Sequence, residues 1–383
     1  TMNAMPDDDS QQLADSDTRY LRDHHGFPRH RKLVADAHPA AAAHRADWRA
    51  FGEMGWLGIA AGADHGGSGL GLAATAPVLD ALGARLVLLP YANAGLAVIA
   101  LLQDAASAEQ RAAWLPPLVA GERTVAFAHE EAGMRYRWQA VETRASRDGD
   151  GFLLQGAKQA VAAGAWADGW IVSARAEDGG LSLFHVPASQ AGVTITPWTA
   201  VDGMPMADLA FAQVRLPASA CIGGHGTGGA HLEHALDVLL AASCAEAVGT
   251  MAALLAQTVD YAKVRTQFGV PISSFQVIQH KLVDMFTQVQ LSRPLAALAL
   301  STVGRLERQP AVLSAAKAQV SAACRFVGET AIQVHGGIGM TEECEASHLF
   351  RRLVALDKRM GDRHHHLGLL VEALQDGRPT VFA

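Results

Sequence analysis

The hydrophobic period of this 383-residue chain changes twice, and that double change limits the folds open to it. Up to about residue 122 apolar side chains recur at helical spacing. Phe51, Met54, Trp56 and Leu57 lead into a glycine-rich break at Gly66-Gly67-Ser68-Gly69, and Leu79-Asp80-Ala81-Leu82-Gly83 reads as a helix closed by a C-terminal glycine. From Thr124 the period drops to two. Val141, Thr143 and Ala145 alternate, Asp148-Gly149-Asp150-Gly151 has the composition of a hairpin turn, and Phe152-Leu153-Leu154 returns. Further short β runs fall at 170–173, 181–184, 193–196 and 209–216. Beyond His231 the helical period resumes, with an apolar stripe at Ile278, Leu282, Met285, Phe286 and Val289 and alanine-rich stretches at 242–257 and 312–332. The expectation is a mostly α protein with a central β domain: a helical domain at 1–122, a β domain at 123–225 and a four-helix bundle at 226–383.

Composition narrows the function. The length exceeds what one core usually supports, half of the residues are hydrophobic, and the net charge is −7 with the basic residues scattered, which argues against nucleic acid as a partner. Cys221, Cys244, Cys324 and Cys344 form no Cys-x-x-Cys pair and no metal-ligand spacing, as expected of a reducing compartment. The N-terminal stretch around Asp7-Asp8-Asp9 and Gln11-Gln12 is polar, and the longest apolar run, Gly95 to Leu102, is too short to span a bilayer. A cytoplasmic protein with no membrane association is the expectation. The run His364-His365-His366 reads as a solvated helix face, not a metal site, because consecutive helical side chains diverge.

The chemistry-bearing motif is spread widely. Arg265-Thr266-Gln267-Phe268-Gly269 is followed by Gln276 and, much later, by Gln333-Val334-His335-Gly336-Gly337, with no Gly-x-Gly-x-x-Gly fingerprint. These intervals, together with Trp56-Leu57-Gly58, His65-Gly66-Gly67 and the helix–sheet–helix order, resemble the acyl-CoA dehydrogenases over essentially the whole chain. The resemblance implies that family's fold, with an N-terminal helical domain, a middle β-sandwich or barrel and a C-terminal four-helix bundle. It implies FAD as cofactor, with Arg265, Gln267, Phe268, Gln276, Gln333, Val334, His335, Gly336 and Gly337 lent to the dinucleotide half of a neighbouring subunit's FAD. Those residue types suit the task. A guanidinium forks onto a diphosphate, a Gly-Gly turn lets backbone amides approach, and amide side chains pair with ribose and adenine. The resemblance further implies an acyl-CoA substrate oxidised between its α and β carbons, electrons passed to an electron-transfer flavoprotein, a homo- or heterotetramer, and a place in fatty-acid or steroid side-chain breakdown.

The catalytic positions depart from the family. Where most members carry the glutamate base before a glycine, this chain has Met360 before Gly361, and the alternative base position falls on Leu239. The segments that place hydroxyls and an indole on the flavin ring read Ala128-His129-Glu130 and Ala160-Val161-Ala162, and Asp237 is kept while Leu240 replaces an arginine. His129 is the one new polar group there, a candidate contact to the flavin. A chain that keeps what it lends and lacks its own base resembles the small subunit of heteromeric pimeloyl-CoA or steroid side-chain dehydrogenases, completing the FAD site of a catalytic large subunit. The segments Ala126-Phe127-Ala128-His129, Met340-Thr341-Glu342 and Gly361-Asp362 point the same way. The alternatives are a homomeric dehydrogenase whose base has moved to Asp362, Glu130 or Glu246, and a non-catalytic structural homologue. Asp362 lies two residues past the base position, a rotation of about 200° on a helix.

Overall fold

A computed structural model describes residues 19–35, 41–304 and 308–375; the polar N-terminal residues noted above lie outside them. The chain divides into two compact units, one of residues 36–72 and 88–239, the other of residues 1–35, 73–87 and 240–383.

The first unit is built on an eight-stranded sheet. Its strands are β1 (Val125–Ala128), β2 (Arg144–Asp148), β3 (Gly151–Ala162), β4 (Gly169–Arg175), β5 (Leu181–Pro187), β6 (Val193–Thr199), β7 (Pro205–Leu216) and β8 (Cys221–Ile222). The spatial order is β6-β7-β3-β2-β4-β5-β8, with β1 parallel to β4. The expected hairpin forms at Gly149-Asp150, pairing Asp148 with Gly151. β4 is buried from Gly169 to Ala174, so it reads as a continuous apolar run, whereas the solvent-facing edge strand β6 is largely exposed. Helices Ala41–Glu53, Val98–Ala105 and Ala108–Val119 belong to the same unit, the last started by a capping box between Ser107 and Gln110. Its helical core holds Phe51, Trp56 and Tyr91, whose hydroxyl donates to the Trp56 carbonyl at 2.8 Å.

The second unit is helical. Pro310–His335 packs against Gln276–Thr302, Glu345–Lys358 and Arg363–Gln375, forming the C-terminal bundle that the alanine-rich stretches announce. The expected closure of a helix at Gly83 does not occur. The helix Ala76–Ala84 runs past it, and a Cβ on Gly83 would meet the Glu246 carbonyl oxygen at 2.1 Å, while one on Gly249 would meet the Asp80 carbonyl oxygen at 2.0 Å. The two glycines let helix backbones touch; neither is a stop signal. The expected stripe is also divided: Met285 and Val289 are buried, but Phe286 is 52% exposed, alongside exposed Val277, Val283 and Leu291. A further correction concerns the longest apolar segment. The helix Gly229–Val264 has a window of mean hydropathy 1.9, enough to cross a membrane by composition, yet 83% of that window is buried inside the fold. Alanine-rich faces hide this from a run-length count, because scattered polar residues interrupt the run without making the helix polar.

Candidate functional site

Arg265 follows the long helix directly and enters a hairpin of β9 (Thr266–Gln267) and β10 (Val270–Pro271). The turn residues Phe268 and Gly269 have φ of 53° and 82°, the pair of positive values that a two-residue turn of this kind requires. Phe268 accepts that conformation while 95% exposed. What aims the hairpin is a small apolar plug beneath it, in which Ala262, Ile272 and Val334 are buried and Tyr261, Phe275, Ile278 and Leu282 pack around them. Val334 belongs to the second half of the motif, so the plug ties the Arg265 hairpin to the distant glycine turn. Tyr261 reinforces the tie: its hydroxyl donates to the His335 carbonyl at 3.2 Å and its ring stacks on the His335 imidazole at 4.5 Å.

The outward and inward residues then separate. Arg265, Gln267, Gln276, Gln333, Gly336 and Gly337 are exposed, and Arg265 has no carboxylate partner among the described residues. Gly336 sits at φ 65° and ψ −143°, a region that side-chain-bearing residues avoid, and open space surrounds both glycines. Val334 and His335 are the correction. Their side chains are buried, Val334 in the plug and His335 against Tyr261 with Nδ1 on the Ala331 carbonyl at 2.8 Å, so neither side chain is offered to a ligand. Helical periodicity explains it: residues adjacent to an exposed Gln333 rotate into the bundle.

The turn at Met360 has the opposite character. Met360 holds φ 61° and Gly361 φ 103°, and a Cβ on Gly361 would meet the His365 ring at 2.5 Å. Lys317, buried, donates to the carbonyls of Leu356 and Asp357 at 2.7 and 3.0 Å and to Ser321 Oγ at 3.1 Å, capping the preceding helix. His366 Nε2 donates to the Met360 carbonyl at 2.8 Å. The triple-histidine run is therefore not uniformly solvated: His364 is exposed, His365 half-buried and His366 2% exposed. Met360 itself is half-buried and carries no proton acceptor. Leu239 is buried at 7% exposure and equally inert.

The alternative carboxylates have other occupations. Glu246 lies 3.4 Å from Arg352 and 3.9 Å from Arg359, a paired structural acid. Asp362 accepts from the amides of His364 and His365 and pairs with Lys358 at 3.1 Å, starting the last helix; burial pushes its carboxyl up, but those bonds outweigh it and hold it low. Glu130, after the end of β1, is the exception: part of its side chain reaches the surface, yet burial pushes its carboxyl up against the pull of Lys158.

In the β unit the sequence reading missed a buried network. Asn93 pins β1 by bonds to both the amide and the carbonyl of Phe127, and His129 follows, 3% exposed. His129 Nδ1 is 2.9 Å from Ser173 Oγ, and Lys158 Nζ donates to Ser173 Oγ at 2.9 Å, to the His129 carbonyl at 3.1 Å and to Glu131 Oε1 at 2.6 Å. Burial lowers the Lys158 ammonium to about 8 despite Glu131, and burial followed by the Lys158 charge lowers His129 to about 3. Burial alone would raise Glu131, but Lys158 and the amides of Glu142 and Thr143 keep it below the usual range. Period-two counting from Phe152 and Leu154 does place Lys158 on the inward face, the one signal that pointed here. Two bulges shift the β3–β7 register, leaving Ala160 at φ 52° with its amide on Asp208 Oδ1 at 3.0 Å. The same oxygen accepts from the half-exposed indole of Trp198 at 2.9 Å.

The exposed cationic and amide set around bare glycines fits a dinucleotide diphosphate, and the buried His129 Nε2, which has no hydrogen-bond partner among the described residues, fits a ring acceptor. Comparison with known proteins agrees with this fit. The N-terminal, middle and C-terminal domains of acyl-CoA dehydrogenase match residues 7–122, 125–214 and 226–374. The probable acyl-CoA dehydrogenase YngJ of Bacillus subtilis is 31% identical over 317 residues, covering 79% of this chain and 83% of that protein. A variant of the Tcur3481-Tcur3483 steroid ACAD superposes with a TM-score of 0.87 at 26% identity, over 97% of this chain and 98% of that one. The ChsE4-ChsE5 complex from Mycobacterium tuberculosis shares the fold, with a TM-score of 0.88 at 24% identity over 98% and 99% of the two chains. This chain belongs to the acyl-CoA dehydrogenase family, FAD-dependent oxidoreductases that act on the CH–CH bond of acyl-CoA thioesters.

Proposed function

We propose that this chain is a subunit of an acyl-CoA dehydrogenase and that it completes the FAD site of a partner chain that carries the base. One observation carries the reading: the groups suited to a dinucleotide are exposed and aimed outward by an apolar plug, while both base positions, Met360 and Leu239, hold side chains that accept no proton. Arg265 would bind the FAD diphosphate, with Gln267, Gln276 and Gln333 pairing to its ribose and adenine and Gly336 and Gly337 admitting the backbone. When bound, FAD accepts the hydride that leaves the acyl β-carbon. The α-proton must leave to a carboxylate, and of this chain's candidate acids Glu246 is committed to Arg352 and Asp362 to a helix start, which leaves Glu130 as the homomeric alternative. A second chain type then supplies the base for turnover.

The heteromeric reading is further supported by likeness to two structures whose names pair two chains, and by the exposed apolar residues Phe268 in the hairpin turn, Val277 and Phe286 on the helix that follows, and Met340 after the glycine turn, which suit a large interface. The assembly is then an α2β2 tetramer, passing electrons to an electron-transfer flavoprotein. Cytoplasmic residence accords with four free cysteines. The test is the absorbance spectrum of the chain purified alone and with its partner. Flavin gained only with the partner supports the proposal; a yellow isolated chain bleached by acyl-CoA overturns it in favour of a homomeric enzyme. A complex that never binds flavin indicates a structural homologue.

A further inference from the structure

We propose that Lys158 and Ser173 are positioning residues that hold His129 as a neutral imidazole protonated on Nε2, so that this chain offers a buried N–H donor to an acceptor atom of a flavin ring. The inference rests on the flavin reading above and adds to it. The β unit has then exchanged its lost hydroxyl and indole contacts for an imidazole, and a flavin ring sits against this chain as well as against its partner.

The argument is a count of donors and acceptors. Lys158 Nζ has three protons and three acceptors: Glu131 Oε1, the His129 carbonyl and Ser173 Oγ. Ser173 Oγ, on the fully buried side chain of a β4 residue, receives one of those protons and must place its own, and His129 Nδ1 at 2.9 Å is the acceptor the structure provides. Nδ1 is thus unprotonated and the ring proton lies on Nε2. Reversing the bond would strand the Ser173 hydroxyl proton and leave Nε2 as an unmet acceptor, two unsatisfied groups in place of one. The cationic ring is disfavoured by burial and by the Lys158 charge, while Glu131 engages Lys158 and the neighbouring Glu130, its carboxyl raised by burial, acts on Lys158 as well. Phe127 stacks on the imidazole at 5.9 Å and 16° between planes, fixing its orientation.

What remains is one N–H, buried and without a hydrogen-bond partner among the described residues. A buried donor without an acceptor costs about 1–3 kcal/mol, and an apolar residue would remove that cost if the pocket had no ligand. The surrounding network exists to keep the donor in one tautomer and one direction. That is the arrangement a ring nitrogen or carbonyl acceptor needs, and it demands no charge on the protein side.

The test has two readouts. Nitrogen-15 NMR of imidazole-labelled full-length chain, without added cofactor, should give His129 as the neutral Nε2–H tautomer from pH 7 to pH 5. Ser173→Ala should convert it to a tautomer mixture, and the charge-balanced pair Lys158→Met with Glu131→Gln guards against a misfolded single variant. An Nδ1–H tautomer, or protonation at pH 6, overturns the positioning claim. FAD titration of the chain in the assembly in which it purifies supplies the second. His129→Phe should weaken flavin binding about five- to tenfold, the loss of one hydrogen bond. Unchanged affinity overturns the ligand claim. A wild-type assembly that binds no FAD overturns the flavin reading itself, and the tautomer measurement still decides the positioning claim.

Discussion

Two places in the helical unit use the same kind of rigid support to opposite ends. Around Arg265 the polar groups face solvent, and the apolar plug of Ala262, Ile272 and Val334 serves to aim them. Around Met360 the scaffold is over-determined, with Lys317 on two carbonyls, His366 on a third and Asp362 starting the next helix, yet the side chain it presents has no acid–base chemistry. The turn is held in a left-handed conformation by three sets of hydrogen bonds, none of which involves the Met360 side chain. The geometry of such a turn is therefore independent of the chemistry of the side chain at Met360.

The sharpest way to break that comparison is Arg265→Ala. Losing one charge-assisted forked contact costs about 1.5–3 kcal/mol, so flavin retention in the assembled complex should fall roughly ten- to a hundredfold while the urea midpoint of the chain stays put. Unchanged flavin content would remove the lending role. Lys317→Met should do the reverse, lowering stability by about 1–3 kcal/mol by stranding the helix-end carbonyls of Leu356 and Asp357 with little direct effect on flavin. If both variants affect flavin and stability equally, the two regions are one cooperative site and the comparison fails.

A pH series probes the Met360 turn more gently. Burial lowers the His366 ring from 6.5 to about 4, so the folded chain keeps it neutral where the unfolded chain protonates it. The unfolded state binds the extra proton between those values, and stability should therefore decline as pH falls from about 6.5 to about 4, by on the order of 1–3 kcal/mol for this group. His366→Gln should flatten that slope; an unaltered slope would assign the acid sensitivity to His25, His129 and His185, which are lowered in the same way by burial. Met360→Glu is expected to give little or no acyl-CoA-dependent flavin bleaching in the isolated chain, because Ala160 and Ala162 lack the ring contacts too. Vigorous bleaching would show that one carboxylate on an intact turn is enough. The smallest effect is reserved for Phe268→Ser, which should leave the chain's stability within about 0.5 kcal/mol, since the ring is exposed. Sedimentation should nonetheless report weaker assembly.

Periodicity and punctuation made the helix–sheet–helix order legible, down to the Gly149-Asp150 hairpin, because strand alternation and turn chemistry are local properties. The motif spacing picked out residues that the fold leaves exposed, apart from Val334 and His335, whose inward rotation follows from a helix that continues to the glycine turn. Residue type alone shows that Met360 and Leu239 carry no carboxylate. Three things needed the tertiary structure. Gly83 looked like a helix stop and proved to be a contact against Glu246, because only the approach of a second helix distinguishes the two uses of a missing Cβ. Glu246 and Asp362, open candidates as bases, were assigned by their partners, Arg352 far along the chain and Lys358 four residues back. The His129–Ser173–Lys158–Glu131 network draws on β4, β3 and the segment after β1. Side-chain protonation and tautomer depend on neighbours within about 3 Å. Sequence separation carries no information about such distances until the sheet brings its strands into register.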